Sequence, residues 1–111
     1  MSAEIKFWDH SKRLDWFYAR AVTRKVLARP EVRDEIWAGI EERWLNDPTK
    51  YRSTRLWRGL LTLPPEEFAR TLLSDTPDAF EARENFAPYF GLTSVERAAV
   101  ISASHNEAAL T

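Results

Sequence analysis

The chain contains no cysteine among its 111 residues and only three glycines. Without cysteine it can form neither a disulfide framework nor a thiolate metal site, which fits a reducing compartment, so we expect a cytoplasmic protein. Few glycines and few β-branched runs leave little material for β-hairpins. No apolar run is long enough to span a membrane, so we expect no membrane association, and residues 1–12 do not resemble a signal peptide.

The residues that are present are typical of one folded domain. Hydrophobic residues make up 44% of the chain and charged residues 30%, which is ordinary for a globular protein. The net charge of −1 removes any attraction of the whole molecule to nucleic acid. Residues 1–63 nevertheless contain all five tryptophans and 13 lysines and arginines against 9 acidic residues, whereas residues 64–111 contain 3 against 8. Because Trp and Arg are enriched where one protein binds another, the first half is predicted to carry a contact surface.

Prolines divide the chain into helix-length segments, within which apolar residues recur at spacings of three and four. We therefore predict an all-α fold, a compact single-domain bundle of five or six helices over residues 1–111. Residues 1–10 are expected to form an N-terminal arm, and residues 102–111 an end that frays. The predicted helices cover 11–28, 30–45, 49–61, 65–73, 77–86 and 93–109.

Three local features are predicted within this bundle. The very short turn at Pro30 indicates that the first two helices pack as an antiparallel pair. Thr93 and Glu96 form a capping-box sequence at the start of the last helix. The aromatic side chains of the loop over 86–91 are expected to be buried anchors, and they are Phe86, Tyr89 and Phe90.

The third helix carries the most suggestive basic surface. Arg52, Arg55 and Arg58 share one side of it, and no Asp or Glu occurs between residues 49 and 63. With Tyr51 and Trp57 nearby, this face is suited to an acidic protein groove or to a phosphate backbone with stacked bases. The alternative is internal, since the arginines could instead pair with acidic residues of the second half of the chain, namely Glu66, Glu67, Asp78, Glu81 and Glu84.

The first helix has a weaker basic side, opposite its apolar stripe. It consists of Arg13, Arg20 and Arg24, with Trp16 close by. Ion pairs with the five acids of the second helix are the favoured interpretation there, ahead of a dedicated anion site.

The tryptophans divide between core and surface. Trp37 and Trp44 are predicted to lie in the core. For Trp16 and Trp57, the sequence favours a core position and an interface position equally. Trp8 is expected to join Phe7 in stapling the first helix to the body.

The sequence shows no catalytic or metal-binding signature. The histidines, His10 and His105, lie near opposite ends of the chain, and it has no HExxH pair and no glycine-rich phosphate loop. We therefore expect no enzymatic activity and no cofactor or metal. A helix-turn-helix is disfavoured, because none of the breaks has a glycine in the turn.

Three stretches resemble small helical bacterial proteins that act as antitoxin-like partners in toxin–antitoxin modules. They are residues 14–31, residues 51–61 and residues 86–97, although the loop over 88–90 is longer here. The resemblance implies an intracellular protein that binds and silences an enzyme encoded beside it. The resulting hypothesis is a protein-interaction module, with a nucleic-acid-binding regulator as the alternative and a homodimer as a reasonable state. Its partner-binding residues would be Trp16, Arg20, Tyr51, Arg52, Arg55, Trp57 and Arg58.

Overall fold

The computed structural model describes residues 10–110, and within them the side chains of residues 12–87 and 89–106. These residues form six α-helices, two short 3₁₀ turns (Pro48–Lys50 and Pro88–Phe90) and no strand, which confirms the all-α prediction. The helix boundaries agree with the predicted ones to within a few residues. The helices are α1 (His10–Ala28), α2 (Val32–Arg43), α3 (Tyr51–Leu61), α4 (Pro65–Leu72), α5 (Pro77–Glu84) and α6 (Ser94–Leu110).

Local chemistry explains where the helices begin. Pro65 and Pro77 are the first residues of α4 and α5, where a missing N–H costs nothing because that group has no intrahelical partner. Thr76 caps α5, since its Oγ1 accepts a hydrogen bond from the Ala79 N–H at 3.2 Å. The predicted capping box is confirmed at α6, where the Thr93 N–H donates to Glu96 Oε1 at 2.7 Å and the Glu96 N–H donates to Thr93 Oγ1 at 3.1 Å.

The core lies between α1 and the helices that pack around it. α1 packs chiefly along α4 and α6, and it contacts α2 much less. The predicted pairing of α1 with α2 is therefore a minor contact, because the apolar stripe of α1 is wide enough to be covered by three other helices. Fully buried side chains of the core include Val22, Val26, Val32, Ile36, Ile40, Phe68 and Leu72.

The aromatic loop behaves differently from its prediction at one residue. Phe90 is buried and meets Trp44 edge-on, with ring centroids 5.2 Å apart. Phe86 is half-buried and packs against the core. Tyr89, however, is 51% exposed, and the guanidinium of Arg43 lies 5.1 Å from its ring centroid, so its prediction as a buried anchor is wrong. The phenol points to water because the 3₁₀ turn directs only Phe90 inward.

A glycine permits the close packing of Phe90. A Cβ placed on Gly39, in the middle of α2, would lie 2.6 Å from Cδ1 of Phe90, which is closer than real side chains approach. Phe90 therefore occupies the space that a side chain at position 39 would need.

The two ends of the chain complete the description. The N-terminal arm and its proposed staple, Phe7 with Trp8, lie outside the described residues. α6 continues to Leu110 through the turns that were expected to fray, and Ser104 within it is completely buried. No described helix combines the length and the apolar character that crossing a membrane requires.

Candidate functional site

The third helix separates a buried face from an exposed, basic one. Its buried residues are Ser53, Thr54, Trp57 and Leu60. With 100° per residue, Tyr51, Arg55 and Arg58 fall together on the opposite side, and all three are exposed. We call these three residues the α3 ridge.

Trp57 is not part of this exposed surface. It is only 1% exposed, its indole N–H donates to the Ala82 carbonyl at 3.1 Å, and its ring stacks on Phe86 at 4.9 Å between centroids. Phe68 of α4 packs on the same ring at 6.2 Å. Its prediction as a partner-binding residue is therefore wrong, because α4 and α5 close over it and make it the side chain that fixes α3 to the body.

Arg52 is occupied within the molecule. Its Nε donates to Glu81 Oε2 at 2.5 Å, and its guanidinium lies 3.7 Å from Asp78 Oδ1. This contact raises the pKa of Arg52 and lowers the pKa of Glu81, chiefly through the shared hydrogen bond. The internal alternative therefore describes this residue, because α5 brings two carboxylates beside it. Its side chain stays 65% exposed, so its part in partner binding remains a prediction.

The remaining two arginines of α3 have no acidic partner among the residues whose side chains the structure describes. Arg55 makes no ion pair, hydrogen bond or ring contact with the described residues, and Arg58 contacts only the ring of Trp37, with 5.1 Å between the guanidinium carbon and the ring centroid. Tyr51 is 55% exposed. Two guanidinium groups and a phenol thus stand together in solvent on one helix face.

Two grooves border the α3 ridge. On one side, a groove of about 260 Å³ runs between α3, α4 and α5, with Leu56, Gly59 and Leu60 on its α3 wall. A Cβ on Gly59 would meet no atom within 4 Å, so this wall is low and open. On the other side, a groove of about 220 Å³ lies between α2 and α3, with Trp37 and Arg58 among its walls. The ridge therefore stands between an apolar groove and an aromatic one.

Acidic residues limit the width of the positive surface. Asp78 lines the groove between α3 and α5, and Asp34 lines the groove between α2 and α3. Arg33 lines the second groove as well, beside Asp34. The positive surface between the two acids is narrow, which suits a compact anion such as a carboxylate better than an extended polyanion.

The two residues predicted on α1 lie apart from the ridge. Trp16 is half-buried, and the guanidinium of Arg83 from α5 lies 5.3 Å from its ring centroid. Arg20 contacts the ring of Phe17 at 5.4 Å and borders a third groove, between α1 and α6. Neither Arg20 nor Arg24 is paired with an acid of α2, contrary to the favoured interpretation from the sequence.

Arg83 is the residue that sequence reasoning missed. It is only 5% exposed, and its Nη1 donates to the Leu72 and Ser74 carbonyls at 2.7 Å each, at the end of α4. Burial lowers the pKa of this guanidinium from its usual value. The signal in the sequence was weak: Ala82 precedes Arg83 and Ala79 lies about one turn earlier, and such small residues permit close helix packing.

The described residues contain no group of three or more histidine, aspartate or glutamate side chains that could hold a metal ion. The arrangement on α3 provides binding groups, namely cations, rings and apolar walls, and no pair of groups arranged for acid–base chemistry. No protein-family model, curated protein or solved structure matches the chain.

Proposed function

We propose that this protein is a non-enzymatic binding module that covers an acidic surface of a partner protein with its α3 ridge. The observation that carries the proposal is the pair of exposed arginines, Arg55 and Arg58, which have no acidic partner among the described residues and lie on a helix with no acidic residue of its own. A single exposed arginine is ordinary on a protein surface and does not by itself indicate a binding site. Two arginines on one face beside exposed aromatic rings have the composition that binding surfaces favour.

The surroundings of the ridge supply the rest of an interface. The groove between α3 and α5 accepts apolar side chains against Leu56, Leu60 and Ala79. The Trp37 ring, held under Arg58, offers a flat surface on the other side. A partner with a carboxylate for each arginine and an apolar residue for each groove would cover the whole ridge.

The helix backbone that presents the ridge is fixed before any partner arrives. Trp57 joins α3 to α5 through a hydrogen bond and to α4 through ring packing. A prearranged surface loses little conformational entropy on binding, which favours tight association over a small area.

The resemblance to antitoxin-like proteins suggests how such binding would act. The protein would occupy a groove of a neighbouring enzyme in the bacterial cytoplasm and thereby exclude the substrate of that enzyme. The alternative, a nucleic-acid-binding regulator, would have to rely on about two or three phosphate contacts, because Asp34 and Asp78 flank the cations.

Affinity purification from the native cell, followed by calorimetry with the purified partner, tests the proposal. We expect a stoichiometric protein partner whose affinity falls roughly 30-fold, about 2 kcal/mol, in Arg55→Glu. Arg70→Glu is the matched control, because Arg70 is an exposed arginine on α4 without an ion pair in the described residues, and its affinity should change little.

Three results would contradict the proposal. If no protein is recovered at low salt, the protein has no such partner. If Arg70→Glu loses as much affinity as Arg55→Glu, the ridge is not the binding surface. Binding of oligonucleotides with a steep loss of affinity as salt rises would support the nucleic-acid alternative instead.

A further inference from the structure

A third groove lies on a different side of the molecule, between α1 and α6. Its volume is about 310 Å³, larger than either groove beside the α3 ridge. Phe17, Leu92 and Val100 form its floor, and each is buried. The cavity is therefore lined by packed core side chains and is open at the top.

Small residues keep this groove open on the α6 side. Ala99 and Ala103 are exposed and line it one turn apart. Across from them stand the long side chains of Arg20 and Arg24, one turn apart on α1. The α6 side of the groove is thus low and apolar, and the α1 side is high and cationic.

The charges around the groove leave two cations uncompensated. Lys25 is neutralised by Glu96, with 2.7 Å between Nζ and Oε1. Arg24 has no ion pair or hydrogen bond among the described residues, and Arg20 contacts only the ring of Phe17. Two arginines therefore line an apolar groove and have no carboxylate partner among the described side chains.

We propose that the groove binds a small amphipathic carboxylate with one apolar chain, of the medium-chain fatty acid class. Its carboxylate would lie between Arg20 and Arg24, because guanidinium groups hold carboxylates through paired N–H···O hydrogen bonds. Its chain would lie along Phe17, Ala21 and Val100. A monoanion is favoured over a doubly charged phosphate because Glu96, although paired, lies at the same groove.

The size of the groove suits such a ligand. From Phe17 to Lys25, α1 rises about 12 Å, which is the length that the groove offers to the carboxylate and its extended chain together. The volume lies at the lower end of the range for small-molecule sites, roughly 300–1,000 Å³.

Calorimetry and ¹H–¹⁵N NMR with decanoate, below the concentration at which it forms micelles, test this proposal on the full chain. We expect saturable 1:1 binding, with amide shifts concentrated at Ala21, Ala99 and Ala103. Decanol, which lacks the charge, and decylamine, which reverses it, should bind at least about five-fold more weakly.

Variants locate the ligand. Arg24→Gln should weaken decanoate binding roughly three- to ten-fold, whereas Arg70→Gln, an exposed arginine elsewhere, should leave it unchanged. Ala103→Leu fills the groove and should abolish binding, whereas Ala98→Leu, on an exposed position of the same helix that does not line the groove, should not.

The proposal is overturned by any of four results. They are no decanoate binding, equal binding of decanol, amide shifts scattered over the surface, or full binding by Ala103→Leu. Because this groove lies on α1 and α6, these results are independent of the partner bound at the α3 ridge.

Discussion

Arg83 and Trp57 show how single polar atoms organise this core. Both side chains are large and buried, and both donate hydrogen bonds to backbone carbonyls. Arg83 donates to the carbonyls of Leu72 and Ser74, and Trp57 donates to the carbonyl of Ala82. Buried donors that find an acceptor stabilise a structure modestly, whereas an unpaired buried group costs about 1–3 kcal/mol. These two residues therefore fix the positions of α3, α4 and α5 relative to one another.

Ser104 is a residue where this rule is broken. It is completely buried, and its hydroxyl has no hydrogen-bond partner among the described residues. We predict that Ser104→Ala raises the free energy of unfolding by about 1 kcal/mol, because it removes an unpaired polar atom and improves helix propensity.

Urea denaturation checks this prediction, with Ser102→Ala as its control. Ser102 is exposed on the same helix, so its substitution should give only the helix-propensity gain, about 0.5 kcal/mol or less. If both variants gain the same free energy of unfolding, the buried hydroxyl of Ser104 does not destabilise the protein.

At the level of the helix, Glu96 serves two partners. Its Oε1 accepts from the Thr93 N–H and from Lys25 Nζ, so one carboxylate both caps α6 and ties it to α1. These contacts, the Lys25 hydrogen bond first, lower the pKa of Glu96 below its ordinary value of 4.5.

This shift predicts a pH dependence. A depressed folded pKa contributes stability above pH 4.5, and the contribution is lost as the pH falls through the folded pKa. We expect Glu96→Gln to lower stability at pH 7 by about 0.5 kcal/mol, a small value because the side chain is 41% exposed to solvent.

Thermal melts of Glu96→Gln and the parent between pH 7 and pH 3 provide the measurement. The difference in Tm should shrink as the pH falls below 4.5. Glu42→Gln, an exposed glutamate on α2 without an ion pair in the described residues, should show no such convergence. A difference in Tm that stays constant with pH would show that the contribution of Glu96 does not depend on its charge.

The helices could be predicted from sequence, but parts of their packing could not. Prolines and the Thr93 capping box mark helix starts by local chemistry that acts within a few residues. Trp57 was misplaced in part because the buried face of α3 contains Ser53 and Thr54, which make its apolar stripe look narrower than it is.

The candidate site was predictable only in part for a related reason. Whether an arginine is free depends on which acids the folded chain brings near it. α5 delivers Asp78 and Glu81 to Arg52 but leaves Arg55 and Arg58 unpaired, and nothing in the spacing of the three distinguishes them.

At the scale of the whole molecule, the two halves of the chain depend on each other. Ion pairs join the basic first half to the acidic second half at Lys12–Glu84, Lys25–Glu96 and Arg52–Glu81. The apolar core does the same, since α1 packs mainly on α4 and α6.

We therefore predict that a fragment of residues 1–63 is unfolded, because it lacks Phe68, Leu72 and the α6 side chains that bury α1. Far-UV circular dichroism should show little helix in the fragment, and the full chain should melt in a single transition. A cooperative thermal transition in the fragment alone would contradict this mutual dependence.

The contact between Gly39 and Phe90 links the side-chain sizes that two distant positions allow. A methyl group at position 39 would collide with the phenyl ring of Phe90. A larger side chain at 39 therefore requires a smaller one at 90. Substitutions there are coupled in their energies, so the effect of a pair is not the sum of the single effects. A redesigned core with alanine at 39 would accordingly need a smaller residue at 90, and that exchange would also remove the ring that covers Trp44.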